Sequence, residues 1–148
     1  MSCTTCTLVE RRDQQLAEPW DNIIRTDNFD VVHAYNSTLL GWIVLVARRH
    51  ISSLAELTED EAVEMGQLVR KTSMALEAIT GCNKTYVMQF AEAEGHNHVH
   101  IHLVPRADDM PVDLRGKNVF GYLGADENQR VPTDDMNAFA TEFRKHFA

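Results

Sequence analysis

The stretch Gly95-His96-Asn97-His98-Val99-His100-Ile101-His102-Leu103-Val104-Pro105-Arg106 decides the fold and points to the chemistry. From His98 to Leu103, imidazoles alternate with Val, Ile and Leu, which is the period of a half-buried strand. Successive side chains on a strand face opposite ways, so His98, His100 and His102 are expected on one face, neighbours about 7 Å apart. Val99, Ile101 and Leu103 are expected to anchor the other face in the core. Three imidazoles in a row have no packing rationale, because each buried ring must find partners for two nitrogens. The row therefore points to chemistry. His96 continues the alternation, but it stands between Gly95 and Asn97 and reads as part of the approaching loop.

Working outward, Thr85 to Phe90 reads as the preceding strand, with Ala91 to Gly95 turning the chain into the histidine strand. The strongest helix signal is Glu59 to Ile79. Thr58 and Glu61 form a capping-box pair, Met65, Leu68, Val69, Thr72, Leu76 and Ile79 make one stripe, and Gly81 stands where a C-terminal cap belongs. Upstream, Trp42 to Ala47 is a continuous apolar run expected as a central strand, followed by the loop Arg48 to Ser52. Asn22 to Arg25 and Phe29 to Tyr35 read as two strands joined by Thr26-Asp27-Asn28. Leu8 to Glu18 fits either a short helix or a loop. Ala107 to Gln129 shows little periodicity and reads as surface loop, with Val119 to Leu123 able to pack. Thr133 is expected to cap a final helix, Asp134 to Phe147, with Met136, Phe139, Ala140, Phe143 and Phe147 on one face. The expectation is one α+β domain over residues 1–148: a five-stranded antiparallel sheet, a long central helix and a C-terminal helix.

A chain of 148 residues can bury a substantial core in one domain. Its net charge of −8 argues against binding nucleic-acid polymer or an anionic membrane surface. A small anionic ligand held by local donors remains compatible. No apolar run approaches a membrane span, and Met1 to Cys6 lacks the basic and apolar regions of a signal peptide. A cytoplasmic location is expected. Three cysteines make no disulfide framework, and Cys3 and Cys6 have the spacing of metal ligands.

Two mechanisms can use the histidine row. A metal site would take two or three of them as ligands, although the only carboxylates that follow closely are Asp108 and Asp109. The other is nucleophilic attack on phosphorus, for which neutral imidazole is suited because its pKa lies near about 6.5. A middle histidine can be held in one tautomer by a backbone carbonyl while its neighbours offer donors to phosphate oxygens. The histidine strand contains no Asp or Glu to complete a Ser-His-Asp or Cys-His-Asp device.

His98-Val99-His100-Ile101-His102-Leu103-Val104 resembles the His-φ-His-φ-His-φ-φ signature of the histidine triad (HIT) superfamily. Trp42 to His50 resembles that family's central strand and upstream histidine, Leu54 to Thr58 the approach to its long helix, and Pro105-Arg106 the close of its motif. The resemblance spans about residues 3 to 106 and leaves an extension from Ala107 to Ala148 uncovered. It implies a homodimeric enzyme attacking the α-phosphate of a nucleotide conjugate through a covalent nucleotidyl-histidine. His100 would be the nucleophile, His102 would bind phosphate and assist the leaving group, and His98 would support the site. Asn97, Gly95 and His96 are candidates for holding phosphate oxygens, and Trp42 for stacking on a base or packing in the core. Bacterial members with the same CxxC opening imply a structural zinc held by Cys3, Cys6, His50 and His98; the alternative is a cysteine pair that binds nothing. The chain departs from the family pattern at Ala34, where many relatives carry Asp or Asn for the ribose hydroxyls, at Trp42 in place of histidine, and in the short Ala91–Asn97 segment. Those departures motivate a second reading, a nucleotide- or zinc-binding module without turnover.

Overall fold

Five segments pair into one antiparallel sheet in a computed structural model that describes residues 2–147. The strands are β1 (Ile24–Arg25), β2 (Phe29–His33), β3 (Ile43–Ala47), β4 (Lys84–Met88) and β5 (His100–Arg106), in the spatial order β1-β2-β3-β5-β4. Three α-helices accompany them: α1 (Thr4–Asp13), α2 (Glu59–Thr80) and α3 (Thr133–Lys145). This is the α+β architecture expected from the sequence.

The continuous apolar run in β3 is explained by its central position, because both its faces are buried. Ile43 and Leu45 join Phe29, Val31, Ile101 and Leu103 in a core covered by α2 and α3. Val44 and Val46 point the other way, into a second cluster with Trp42, Val32, Val104 and Val9 of α1. Helix α2 behaves as its pattern requires. The Thr58 hydroxyl accepts from the Glu61 amide (3.1 Å), Glu61 accepts from the Thr58 amide (2.8 Å), and Gly81 ends the helix at φ 68°.

The structure corrects several expectations. Of the Leu8–Glu18 region, Leu8 to Asp13 is helical and the rest is not, and α1 begins earlier, at Thr4. Thr133 opens α3 rather than capping it; Pro132 occupies the cap position without a side-chain bond. The presumed loop from Ala107 to Gln129 contains three 3-10 turns, Val112–Leu114, Gly116–Tyr122 and Glu127–Gln129. Val119 inserts from it into the second cluster, as its apolar stretch allowed, and Met110 does so without any such signal. The ladder of β5 starts at His100, leaving His98 in the approach to the strand.

One buried ionic group ties α1 to the sheet. The Arg12 guanidinium, on a residue 2% exposed, donates to the Asp21 carbonyl (2.7 Å) and pairs with the carboxylates of Asp21 (2.8 Å) and fully buried Asp30 (3.2 Å). Arg25 supplies a second partner for Asp30 at 2.7 Å. Removing one member of a buried pair leaves the other desolvated and uncompensated. Arg12→Ala is therefore expected to lose about 3–5 kcal/mol of stability, measured by urea denaturation. A loss below about 1 kcal/mol, the range of exposed pairs, would show that the group is not held as described.

Candidate active site

The register places His102 opposite Val44 and His100 opposite Val46. Both imidazoles therefore stand on the face away from α2, above a floor of valines. A cleft of about 1080 Å³ opens over this face. Thr5 and Leu8 of α1 form one wall, and Phe120, Leu123, Val131 and Met136 form another, so a C-terminal segment contributes much of the enclosure.

Hydrogen bonds assign the proton on each ring. His100 Nδ1 lies 2.7 Å from the His98 carbonyl oxygen, which can only accept, so Nδ1 carries the hydrogen. The Nε2 lone pair of His100 is left for the cleft, which its ring lines. His98 Nε2 donates to the Ala47 carbonyl, leaving its Nδ1 as an acceptor. The Trp42 indole N–H, a donor only, reaches His102 Nδ1 at 3.0 Å, so neutral His102 carries its hydrogen on Nε2. Burial, followed by the neighbouring His100, pushes the His102 pKa down to about 3. The His100 and His102 rings meet edge to face with centroids 5.0 Å apart.

The other candidates from the sequence fall in different places. His98 does not face the cleft; it is fully buried beside His50. His96 does line the cleft, with Nδ1 2.8 Å from the Thr5 hydroxyl and its ring 6.4 Å from that of His100. Asn97 is exposed and is not among the residues lining the cleft. Gly95 serves the N-terminus instead of the cleft: its carbonyl accepts from the Thr4 amide at 2.8 Å, and a Cβ there would lie 2.8 Å from the Thr4 hydroxyl. Trp42 cannot stack on a base, because it is fully buried and packed against His102 and Phe120. Arg48 and Arg49 do not reach the cleft. Arg48 donates to the Thr26 and Asp27 carbonyls, and Arg49 pairs with Glu61 at 2.8 Å.

His33 was not apparent from the sequence, where it continues an apolar strand. It is 1% exposed, Nδ1 lies 2.8 Å from the Ala34 carbonyl, and Nε2 accepts from the Gly41 amide at 2.9 Å. Gly41 is held at φ 95°, where a Cβ would press on Phe139 at 3.2 Å. Burial lowers the His33 pKa to about 4. Arg12, another residue lining the cleft, was equally hidden; its only sequence signal is a cation in a helix of unclear facing.

Beside the start of the histidine strand, Cys3, Cys6, His50 and His98 offer four ligand atoms within 4.8 Å of one another. The S···N separations are 3.3, 3.5 and 3.6 Å, and the His50–His98 N···N separation is 3.2 Å. A tetrahedral zinc with ordinary bond lengths would set these edges at about 3.5 and about 3.3 Å. The donor set and its geometry thus fit a metal ion. Burial, followed by the adjacent Cys3, raises the Cys6 thiol to about 11, and a bound cation would favour its thiolate.

A sheet that holds imidazoles in fixed tautomers over a cleft, with a Cys2His2 cluster beside them, defines a histidine-rich α+β class. The model of the HIT domain family matches residues 15–109. The chain belongs to the HIT domain family. Among solved structures, a zinc-bound histidine triad family protein from Mycobacterium smegmatis is 16% identical, with 99% of this chain and 94% of that one covered at a TM-score of 0.70. A Hit-like protein from Bartonella henselae is also 16% identical, covering 95% and 92% at 0.70. A hypothetical histidine triad nucleotide-binding protein from Sulfolobus tokodaii is 13% identical, covering 96% and 91% at 0.71. At these identities the likeness is one of fold. A comparison with curated protein sequences gives no match.

The depressed His33 pKa makes a stability prediction. Between about pH 6.5, the ordinary histidine value, and the folded value of about 4, the unfolded chain binds more protons than the folded one. The stabilisation from neutral His33 is full above that window and is lost as pH falls through it. The melting temperature is expected to fall from pH 6.5 to 4, and less steeply in His33→Gln. Parallel curves for the two proteins would contradict the assignment.

Proposed function

We propose that this protein is a nucleotidyl hydrolase or transferase acting at the α-phosphate of a nucleotide conjugate, either a phosphoramidate or a dinucleoside polyphosphate. The observation that carries the reading is the bond from His100 Nδ1 to the His98 carbonyl, which commits one nitrogen and directs the other lone pair to the cleft. In the first step His100 Nε2 bonds to phosphorus, and the bond to the leaving group breaks with its electron pair. A water or another acceptor then bonds to phosphorus, the P–Nε2 bond breaks with its pair returning to Nε2, and the acceptor's proton passes to solvent. His102 Nε2–H donates to a phosphate oxygen, and His96, whose ring lies 6.4 Å from that of His100, would offer a second contact to the same group. The valine floor and the aromatic and apolar C-terminal wall suit a nucleoside.

Cys3, Cys6, His50 and His98 would hold a structural zinc, which supplies closed coordination and leaves no open position for substrate. His98 would coordinate through Nδ1, the nitrogen left free by its bond to Ala47. A reducing cytoplasm would keep both thiols available. Pairing into a homodimer is favoured by β4, an edge strand, and by Val63 and Met74 on α2 and Val87 on β4, which are 61, 53 and 49% exposed. A module that binds nucleotide without turnover is the second reading. It is favoured by Ala34, whose methyl group lines the cleft and offers no acceptor to a ribose hydroxyl.

Turnover is tested with a panel of nucleotide conjugates and the variant His100→Ala. Loss of a nucleophile is expected to reduce kcat by at least about 10³-fold, while the melting temperature and nucleotide affinity stay close to those of the parent. Acid-quenched wild-type protein is expected to carry one nucleotidyl group on the peptide containing His100. Turnover retained in the variant would reject the nucleophile, and binding without turnover or adduct would favour the module. Purified protein is expected to contain one zinc per chain, and Cys6→Ser to contain less and to melt at lower temperature.

A further inference from the structure

The contact between Trp42 and His102 limits what His102 can do. A neutral imidazole has one donor and one acceptor nitrogen, whereas an imidazolium has two donors. The Trp42 indole N–H already points at His102 Nδ1 from 3.0 Å, and both rings are held edge to face with centroids 5.7 Å apart. A second proton on His102 would have to go on Nδ1, placing two N–H groups against each other inside a packed cluster. The rings surrounding His102 are Trp42, Phe120 and His100, and none carries a carboxylate to stabilise a cation. Burial acts in the same direction, holding the ring neutral across the physiological range.

We propose that Trp42 locks His102 as a neutral Nε2–H donor, so that the site releases leaving groups that depart as anions and discriminates against amines that must be protonated to leave. This inference rests on the nucleotidyl-transfer reading above and narrows its substrate class to mixed anhydrides, either nucleoside polyphosphates or acyl nucleotides. In the first step the P–O bond breaks toward oxygen, and a phosphate or carboxylate carries the electron pair away without a proton. Breaking a P–N bond instead requires a proton on nitrogen. The only proton His102 could give is the one on Nε2, and its loss would leave an imidazolate met by one indole N–H. His102 therefore polarises phosphate by hydrogen bonding and does not serve as the general acid. Trp42 is a positioning residue, acting on substrate only through His102.

Paired probes carrying the same nucleoside separate the two leaving-group classes: a dinucleoside triphosphate and a nucleoside 5′-phosphoramidate, one pair for each of the common bases. General acid catalysis is worth about 10²–10⁴-fold, so kcat/KM for the anhydride is expected to exceed that for the phosphoramidate by at least about 100-fold after correction for their solution rates. Trp42→Phe keeps an aromatic ring but removes the N–H, and is expected to narrow that ratio by at least about tenfold. Independently of any variant, ¹⁵N spectra of the wild-type protein are expected to show His102 protonated at Nε2 and not at Nδ1 from pH 5 to 8. Comparable cleavage of the two probes, or an imidazolium at His102 within that range, overturns the proposal while leaving the nucleophile standing. If no probe of any base is turned over and none labels His100, the catalytic reading fails and the proposal falls with it.

Discussion

The bond between His100 Nδ1 and the His98 carbonyl requires His98 to be immobile and its carbonyl to be unclaimed. Both conditions come from His98 lying just outside the ladder of β5. Within a strand, a carbonyl points sideways toward a neighbouring strand and is committed to pairing. Here Val99 donates to Ile51 at 2.7 Å and Ala47 to Val99 at 3.1 Å, so pairing is taken over by the residue after His98. The His98 ring is anchored at both nitrogens, Nε2 on the Ala47 carbonyl and Nδ1 among Cys3, Cys6 and His50. Its amide donates to the His96 carbonyl at 2.8 Å. A residue so fully tied aims its carbonyl at one place, which fixes the tautomer of the ring two positions on.

The same anchors build a wall of the cleft. Helix α1 has ten residues and would be marginal alone, since short isolated helices rarely hold in water. It is fixed at its start by Thr4 on Gly95 and by the two cysteines, and near its end by Arg12 on Asp21 and Asp30. Thr5, between those anchors, is hydrogen-bonded to His96, another residue lining the cleft. The cysteine cluster and the cleft are therefore mechanically joined, because one helix turn belongs to both. On the opposite side, Phe120 packs on Trp42, His102 and Phe90. A tail outside the matched family segment of residues 15–109 thereby presses on the imidazole row.

Those features differ in how they are written into the chain. The alternation from His98 to Leu103 and the apolar run of β3 were readable because period-2 burial acts on adjacent residues. The capping box and stripe of α2 were readable for the same reason, with local bonds between Thr58 and Glu61. Arg12 and His33 were not, since their meaning depends on partners such as Asp30 and Gly41, and on which side of a helix or strand faces inward. Trp42 was legible as core but not as a partner of His102, 60 residues away. The tail from Ala107 to Gln129 was legible only at Val119 to Leu123, because 3-10 turns bury single residues such as Met110 without a sustained period. Gly95 misled in a different way: its freedom from a Cβ serves the approach of Thr4, and a glycine near a candidate site reads alike in either role.

The charge distribution of the cleft follows from what its imidazoles must be. An anionic substrate would ordinarily be met by arginine or lysine, but the two guanidinium groups lining the cleft are engaged elsewhere. Arg12 is paired with two carboxylates, and Arg130 donates to the Ala125 carbonyl and lies 5.7 Å over the Tyr35 ring. A carboxylate beside the row would raise the proton affinity of an imidazole, and a protonated ring has no lone pair with which to attack. The partners seen on the ring nitrogens of His98, His100 and His102 are instead carbonyls, an indole N–H and the cysteine–histidine cluster. Neutral dipoles fix orientation without supplying a charge that would favour the imidazolium. The chain's excess of acidic residues can then coexist with a site for phosphate, because recognition at the row is by aimed N–H groups in a sheltered cleft and not by net charge.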